Sequence, residues 1–220
     1  MPDQPNDLLW SDRGVPISSR YDDPYYSLED GAAETTHVFL KGNGLPARFA
    51  PGFHIAELGF GTGLNVAVAL SAWRHAKVSG PLRFTSFERF PLAPTAIAKA
   101  LAQFPDLSGE AHDVTRSLTG HVVPDLQLTV VEGDARDTLA DWTGSADAWF
   151  LDGFSPAKNP QLWEPSLMQQ VARHTVPGGT FATYTAAGAV RRALETAGFE
   201  VRRVPGFARK RHMSTGRKPC

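Results

Sequence analysis

The residues that could do chemistry gather in four short runs of this 220-residue chain. The first is Glu57-Leu58-Gly59-Phe60-Gly61-Thr62-Gly63-Leu64-Asn65. Glycines at alternate positions let the chain turn tightly and let a ligand approach bare backbone. The spacing, E-x-G-x-G-x-G, departs from the G-x-G-x-x-G that lays a pyrophosphate on a helix N-terminus. The second run is Ser86-Phe87-Glu88-Arg89, where a carboxylate at a strand end can accept both hydroxyls of a ribose. A surface Glu at a strand terminus would look the same. The third is Glu132-Gly133-Asp134-Ala135, which could equally be an ordinary turn. The fourth is Trp149-Phe150-Leu151-Asp152-Gly153-Phe154-Ser155-Pro156, followed by Ala157-Lys158-Asn159-Pro160. There an Asp leaves an apolar segment into a loop controlled by Gly and Pro, with Phe154 expected to be exposed. Asp152 is either an acid–base group or a turn or capping residue.

These runs need strand ends to hold them, and the pattern of the chain supplies them. His54–Leu58, Leu82–Glu88, Leu126–Val131, Asp147–Leu151 and Thr180–Thr185 read as strands. Leu64–Ala76, Leu92–Phe104, Pro165–His174 and Ala186–Ala197 read as helices, with Pro165 at a first helical position and Gly198 where a left-handed cap belongs. Strands alternating with helices imply an α/β protein with a doubly wound, mostly parallel sheet of the Rossmann-like type. Such sheets bind ligands beyond the carboxyl ends of their strands, where all four runs fall. Residues 1–50, with the apolar run Thr36–Leu40, read as an irregular extension holding a short strand or two. Residues 51–220 form the main domain.

Composition removes several classes. The chain is 42% apolar and 20% charged, as expected of a soluble globular protein. Its one cysteine, Cys220, rules out an internal disulfide framework. The start, MPDQPNDLLWSD, is acidic and does not read as a signal peptide. No run of 18 apolar residues exists, so a membrane span is not expected and a cytoplasmic location is. The seven histidines show no metal spacing, and no metal is expected. Ser155 lies in Gly-Phe-Ser-Pro and not in the Gly-x-Ser-x-Gly elbow of a serine hydrolase. The formal net charge of −1 hides an asymmetry. Residues 1–36 hold eight acids and two arginines, while residues 201–220 hold seven Lys or Arg and no acid. That tail is either a solvated terminus or an edge that meets phosphates.

The glycine run resembles the first motif of class I S-adenosylmethionine-dependent methyltransferases. ELGFGTGLN, SFERFPL, GDAR, AWFLDGFSPAKNP, GGTFATYTAAGAVRRAL and GFARKRHM together resemble one family. It comprises the methyltransferase halves and stand-alone versions of the MnmC type of tRNA modification enzyme. Asp22-Asp23-Pro24-Tyr25-Tyr26-Ser27, Ala33-Glu34-Thr35 and Val38-Phe39-Leu40 are similar to that family's opening. The resemblance implies methylation of the aminomethyl nitrogen on a wobble uridine at tRNA position 34. The product is 5-methylaminomethyl-2-thiouridine, with S-adenosyl-L-methionine as the small-molecule donor.

The resemblance also implies roles for residues. Glu57, Gly59, Phe60, Gly61, Thr62, Gly63 and Asn65 line the donor's methionine portion. Glu88 takes the ribose, Asp134 and Ala135 the adenine side, and Asp152 the methyl-transfer centre. An alkylamine is mostly protonated at neutral pH and must lose a proton before it attacks, so a carboxylate in contact with it can orient it and accept that proton. Phe154 is expected to stack on a flat base or flank the sulfonium. Arg202, Arg203, Arg209, Lys210 and Arg211 are expected to contact phosphates near the tRNA anticodon, whereas Arg191 and Arg192 read as a solvated helix face. The flavin-dependent oxidase of bifunctional members has no counterpart among these 220 residues, so the sequence reads either as a stand-alone enzyme with a separate flavin-dependent oxidase as partner or as a domain cut out of a bifunctional one. Three rivals stay open. They are a class I N-methyltransferase for another amine, a nicotinamide-dependent oxidoreductase that the glycine spacing disfavours, and a non-enzymatic tRNA-binding module.

Overall fold

The computed structural model describes residues 8–12, 14–27 and 30–220. The first seven residues of the acidic start therefore lie outside the described residues. The centre is a seven-stranded sheet in the order β6-β5-β4-β7-β8-β10-β9. Its strands are β4 (His54–Leu58), β5 (Leu82–Glu88), β6 (Leu126–Glu132), β7 (Ala146–Leu151), β8 (Thr175–Thr183), β9 (Glu200–Pro205) and β10 (His212–Arg217). The first five are parallel, and β10 runs antiparallel to both β8 and β9. All five residues of β4 are buried, as expected of a strand covered on both faces.

Helices α2 (Leu64–Ala76), α3 (Pro94–Leu101), α4 (Ser108–Leu118), α5 (Ala135–Asp141), α6 (Pro165–Arg173) and α7 (Gly188–Thr196) flank the sheet. Two apolar clusters result. One joins Val66, Leu70, Trp73, Phe84 and Phe150. The other joins Leu58, Phe87, Trp149, Leu167 and Phe181. The strand aromatics Phe84, Phe87, Trp149, Phe150 and Phe181 are all core. Gly198 closes α7 with a φ of 102°.

Three expectations need correction or completion. The extension is not wholly irregular, and its apolar run Thr36–Leu40 is helical. Helix α1 (Gly31–Thr35) continues through a π-helical turn at Thr36–Leu40 and a 3-10 turn at Lys41–Asn43. This segment buries Val38, Phe39 and Leu40 in the first cluster. Asn43 fastens it to the sheet, donating from Nδ2 to the Trp149 carbonyl at 3.2 Å. The short strands of the extension do exist, as a small antiparallel sheet of β1 (Leu8–Trp10), β2 (Pro16–Ser18) and β3 (Asp23–Pro24). Second, the basic tail is not a frayed terminus. It forms the last five residues of β9, a turn and β10, and β10 is interior to the sheet. Third, the strand expected at Thr180–Thr185 runs from Thr175 to Thr183, with an irregularity inside it where Thr175 pairs with Ala146 and Thr180 with Ala148 of β7.

Among the described residues, no helix is long and apolar enough to cross a membrane. Nor does any group of three or more His, Cys, Asp or Glu among them stand ready to hold a metal ion.

Candidate active site

The strand order reverses between β4 and β7: β5 and β6 lie to one side, β8 to the other. A crevice opens at such a switch point. Here β4 ends in the glycine run and β7 ends in Asp152, and the two are joined by a hydrogen bond from the Asp152 amide to the Leu58 carbonyl at 3.1 Å. Gly59 turns away with a φ of 91°, and a Cβ there would stand 2.5 Å from the Asp152 carbonyl oxygen. No side chain fits that approach. Gly61 has a φ of 53°, and its missing Cβ faces the Tyr25 ring.

Above these turns lies a cavity of about 690 Å3, a size suited to a nucleoside-bearing ligand. Gly59, Phe60, Gly61, Thr62, Asn65, Glu88, Asp134, Ala135, Asp152 and Phe154 all line it. Glu88 accepts from the Gly61 amide at 3.1 Å through Oε2 and from the Phe90 amide at 2.9 Å through Oε1. Each oxygen keeps acceptor capacity, as recognition of a ribose diol requires.

Two of the predicted contacts stand behind the cavity wall. Gly63 is buried and does not line it. Glu57 is wholly buried and accepts from Asn65 Nδ2 at 2.7 Å and Ser86 Oγ at 2.7 Å. Its position beneath the glycine run explains why a Glu precedes that run, but its side chain does not reach the lumen. Burial holds its carboxyl well above the usual carboxylate range, against the lowering effect of the Ser86 and Asn65 bonds.

Asn65 is the joint of the site. Its Nδ2 also donates to Asp152 Oδ2 at 2.7 Å, and its Oδ1 accepts from Thr35 Oγ1 at 2.8 Å. The Thr35 bond fixes which way the amide faces, so both N–H groups point at carboxylates. Thr35, on the N-terminal extension, falls in the Ala33-Glu34-Thr35 run that resembles the family's opening, but nothing in the sequence assigns it this role. Burial pushes the Asp152 carboxyl up to about 7, with Asn65 and Lys210 opposing and Glu34 reinforcing the shift.

Asp134 and Phe154 are more occupied than the sequence suggests. Asp134 caps α5 and holds Arg136 and Arg89, at 2.7 and 2.8 Å. The Arg136 hydrogen bond, more than any other influence, brings its carboxyl down to about 2. Phe154 is not the exposed ring expected of a loop. Tyr21 stacks on it at 4.6 Å between centroids, and Tyr25 meets it edge-on at 5.1 Å. Asp23 secures the same strap, accepting from the Ser155 amide at 3.3 Å and pairing with Lys158 at 3.3 Å.

The basic residues divide. Lys210 lines the cavity and pairs with Glu34. Arg202, Arg203, Arg209 and Arg211 are exposed along β9 and the turn before β10.

A glycine cradle, a Glu at the end of the next strand and a carboxylate at the reversal point, on this sheet, fit a Rossmann-like methyltransferase of class I. The chain belongs to the S-adenosyl-L-methionine-dependent methyltransferase family whose description matches residues 96–219. It is 46% identical, over 99% of its length, to the tRNA 5-methylaminomethyl-2-thiouridine biosynthesis bifunctional protein MnmC of Caulobacter vibrioides, of which it covers 39%. Identity to the protein of the same name from Chromohalobacter salexigens is 44%, over 96% of this chain and 33% of that one. The chain thus spans little more than a third of these relatives. The crystal structure of MnmC2 from Aquifex aeolicus is similar over 97% of this chain and 72% of that one, with a TM-score of 0.77 and 26% identity. A methyltransferase from Pyrococcus furiosus shares the fold with a TM-score of 0.52 at 14% identity, over 94% of this chain and 90% of that one.

Proposed function

We propose that this chain methylates the 5-aminomethyl nitrogen of a wobble (2-thio)uridine at position 34 of tRNA. The product is 5-methylaminomethyl-2-thiouridine. The observation that carries the reading is Asp152: a carboxylate held by Asn65 in the same cavity as the glycine cradle and Glu88. The likeness to MnmC proteins supports the substrate, and the cavity's residues fit the donor. Bare backbone at Gly59 and Gly61 would receive its amino-acid portion, Glu88 its ribose, and the side beside Asp134 and Ala135 its adenine. S-adenosyl-L-methionine, when bound, supplies an electrophilic methyl group on a sulfonium.

The protein's own work is then positioning and proton handling. Asp152 accepts the proton that an alkylammonium must lose, and a carboxyl group titrating near 7 suits that task at neutral pH. Asn65 holds Asp152 in register, and Glu57 and Thr35 hold Asn65. Alignment of nitrogen and methyl in the cavity supplies much of the acceleration. Phe154, backed by Tyr21, forms a wall against which a flat base can rest by its remaining edge. Arg202, Arg203, Arg209, Lys210 and Arg211 offer cations to the anticodon backbone, giving salt-dependent affinity.

In this reading residues 51–220 are the methyltransferase domain and 1–50 an extension packed on it. The enzyme is cytoplasmic, and a flavin-dependent oxidase supplies its substrate. The test is incubation with labelled S-adenosyl-L-methionine and either tRNA bearing 5-aminomethyl-2-thiouridine or protein extract. Label confined to the wobble nucleoside is expected. Label in protein or small amines, with none in tRNA, overturns the substrate.

A further inference from the structure

One wall of the cavity holds an ammonium group already. Lys210 Nζ donates to Glu34 Oε1 at 2.7 Å and lies 4.4 Å from the centroid of the Tyr184 ring. A carboxylate beside an aromatic face is the chemistry that binds alkylammonium ions. Glu34, Tyr184 and Asp152 all line the same cavity. The cage is rigid on the side of the protein core. Glu34 precedes Thr35, the residue that fixes Asn65 and through it Asp152. Tyr184 is anchored by its hydroxyl, which donates to the Gly153 carbonyl at 2.8 Å. Burial raises the Tyr184 hydroxyl well above its usual range, and Asp152, Asp23 and Glu34 add to the effect. That surrounding of carboxylates is a negative field suited to a cation.

Lys210 is held differently. Its side chain is 49% exposed while that of Glu34 is 13% exposed. It sits in the turn before β10, among arginines, on the segment proposed to meet phosphates. Its ammonium therefore has alternative partners when RNA arrives, whereas the ion pair that the described residues give Glu34 is the one to Lys210.

We infer that Glu34 and Tyr184 form the docking cage for the substrate's primary ammonium, and that Lys210 is a resident stand-in displaced by it. The inference rests on the amine-methylating reading above. In the sequence it implies, the ammonium exchanges with Lys210 at Glu34. One proton then passes from nitrogen to the Asp152 carboxylate, leaving a neutral amine and a carboxylic acid. Glu34 selects substrates by charge, so a wobble uridine without an amine gains nothing from it.

The experiment compares binding of tRNA bearing 5-aminomethyl-2-thiouridine with the same tRNA bearing unmodified wobble uridine, both in the presence of S-adenosylhomocysteine. The ratio cancels the phosphate contacts. Glu34→Gln is expected to reduce that discrimination about tenfold, the scale of one charge-assisted hydrogen bond, with S-adenosylhomocysteine affinity unchanged. Glu34→Asp restores part of it. Lys210→Met removes the competitor and raises discrimination several-fold, although both tRNAs bind more weakly. Wild-type discrimination in Glu34→Gln, or unchanged or lower discrimination in Lys210→Met, overturns the cage. Should Glu34→Gln not fold, Lys210→Met decides alone. Wild-type protein that transfers no methyl group to the aminomethyl tRNA overturns the parent reading and the cage with it. Normal transfer with both variants indifferent removes the cage alone.

Discussion

At the scale of single residues the site is a chain of four polar side chains: Thr35, Asn65, Glu57 and Asp152, joined by hydrogen bonds of 2.7 to 2.8 Å. Asp152→Asn keeps the shape and removes the proton acceptor. Methyl transfer should fall by about 10²- to 10⁴-fold, while calorimetry with S-adenosylhomocysteine shows affinity within about threefold of wild type. The wild-type rate should rise with pH through about 7 and then level as Asp152 ionises. Stability moves the other way. The folded carboxyl titrates near 7 and the unfolded one near 3.8, so the folded state holds the extra proton between those values and loses stability as pH rises across them. Asp152→Asn lacks this dependence, and its advantage in denaturant titrations should grow between pH 4 and pH 7 by on the order of 3 kcal/mol. A constant difference across that range would mean the carboxyl is not held up by burial. Asp152 was legible because it leaves an apolar strand into a Gly- and Pro-bounded loop. Thr35 was not. Its partner is 30 residues away, and nothing local marks a threonine as the group that orients an amide.

At the scale of elements, legibility followed burial. The strands β4, β5 and β7 and the helix α2 carry dense apolar runs, and α2 ends where the pattern placed it. Helix α4 carries Ala111, Val114 and Leu118 at helical spacing against the first cluster, but only Val114 is fully buried and polar residues crowd the stripe, while α5 spans just seven residues with Ala135 and Leu139 inward. Strand β10 is interior yet reads HMSTGR, because Ser214 satisfies its buried hydroxyl on the Thr185 carbonyl instead of packing apolar surface. The glycine run shows what an element end demands. Gly59 and Gly52 both have positive φ, at 91° and 82°, but a Cβ on Gly52 meets nothing within 4 Å. Gly52→Ala should therefore cost about 1 kcal/mol, the backbone strain alone. Gly59→Ala adds a clash with the Asp152 carbonyl that must push β4 and β7 ends apart. We expect several degrees of additional loss in melting temperature and no measurable heat on titration with S-adenosyl-L-methionine. Equal effects of the two substitutions would show that the Asp152 loop yields freely.

At the scale of the whole molecule, the charge asymmetry of the chain becomes a geometry. Strand β9 runs parallel to β8 and turns back into β10 at the carboxyl end of the sheet, the end where the cavity opens. Arg209, Lys210 and Arg211 fall in that turn. Arg202 and Arg203 sit back along the edge strand, roughly 7–10 Å from Pro205 at the rise of an extended chain. As neighbours in a strand they also point to opposite faces: Arg202 shares a face with Val204, which packs on one core cluster, and Arg203 with Val201, which packs on the other. On the proposed reading, one RNA backbone entering the cavity cannot use all five cations alike. Arg211→Glu should weaken tRNA binding about tenfold near 0.1 M salt and reduce the salt slope by roughly 0.7–0.9, the amount expected for one phosphate contact. Arg202→Glu and Arg203→Glu should each change affinity less than about threefold, and never both by the same amount. S-adenosylhomocysteine affinity should be untouched in all three. Losses of equal size from Arg203 and Arg211 would mean that the RNA follows the whole length of the edge strand, and the rim of the cavity would no longer be its entry.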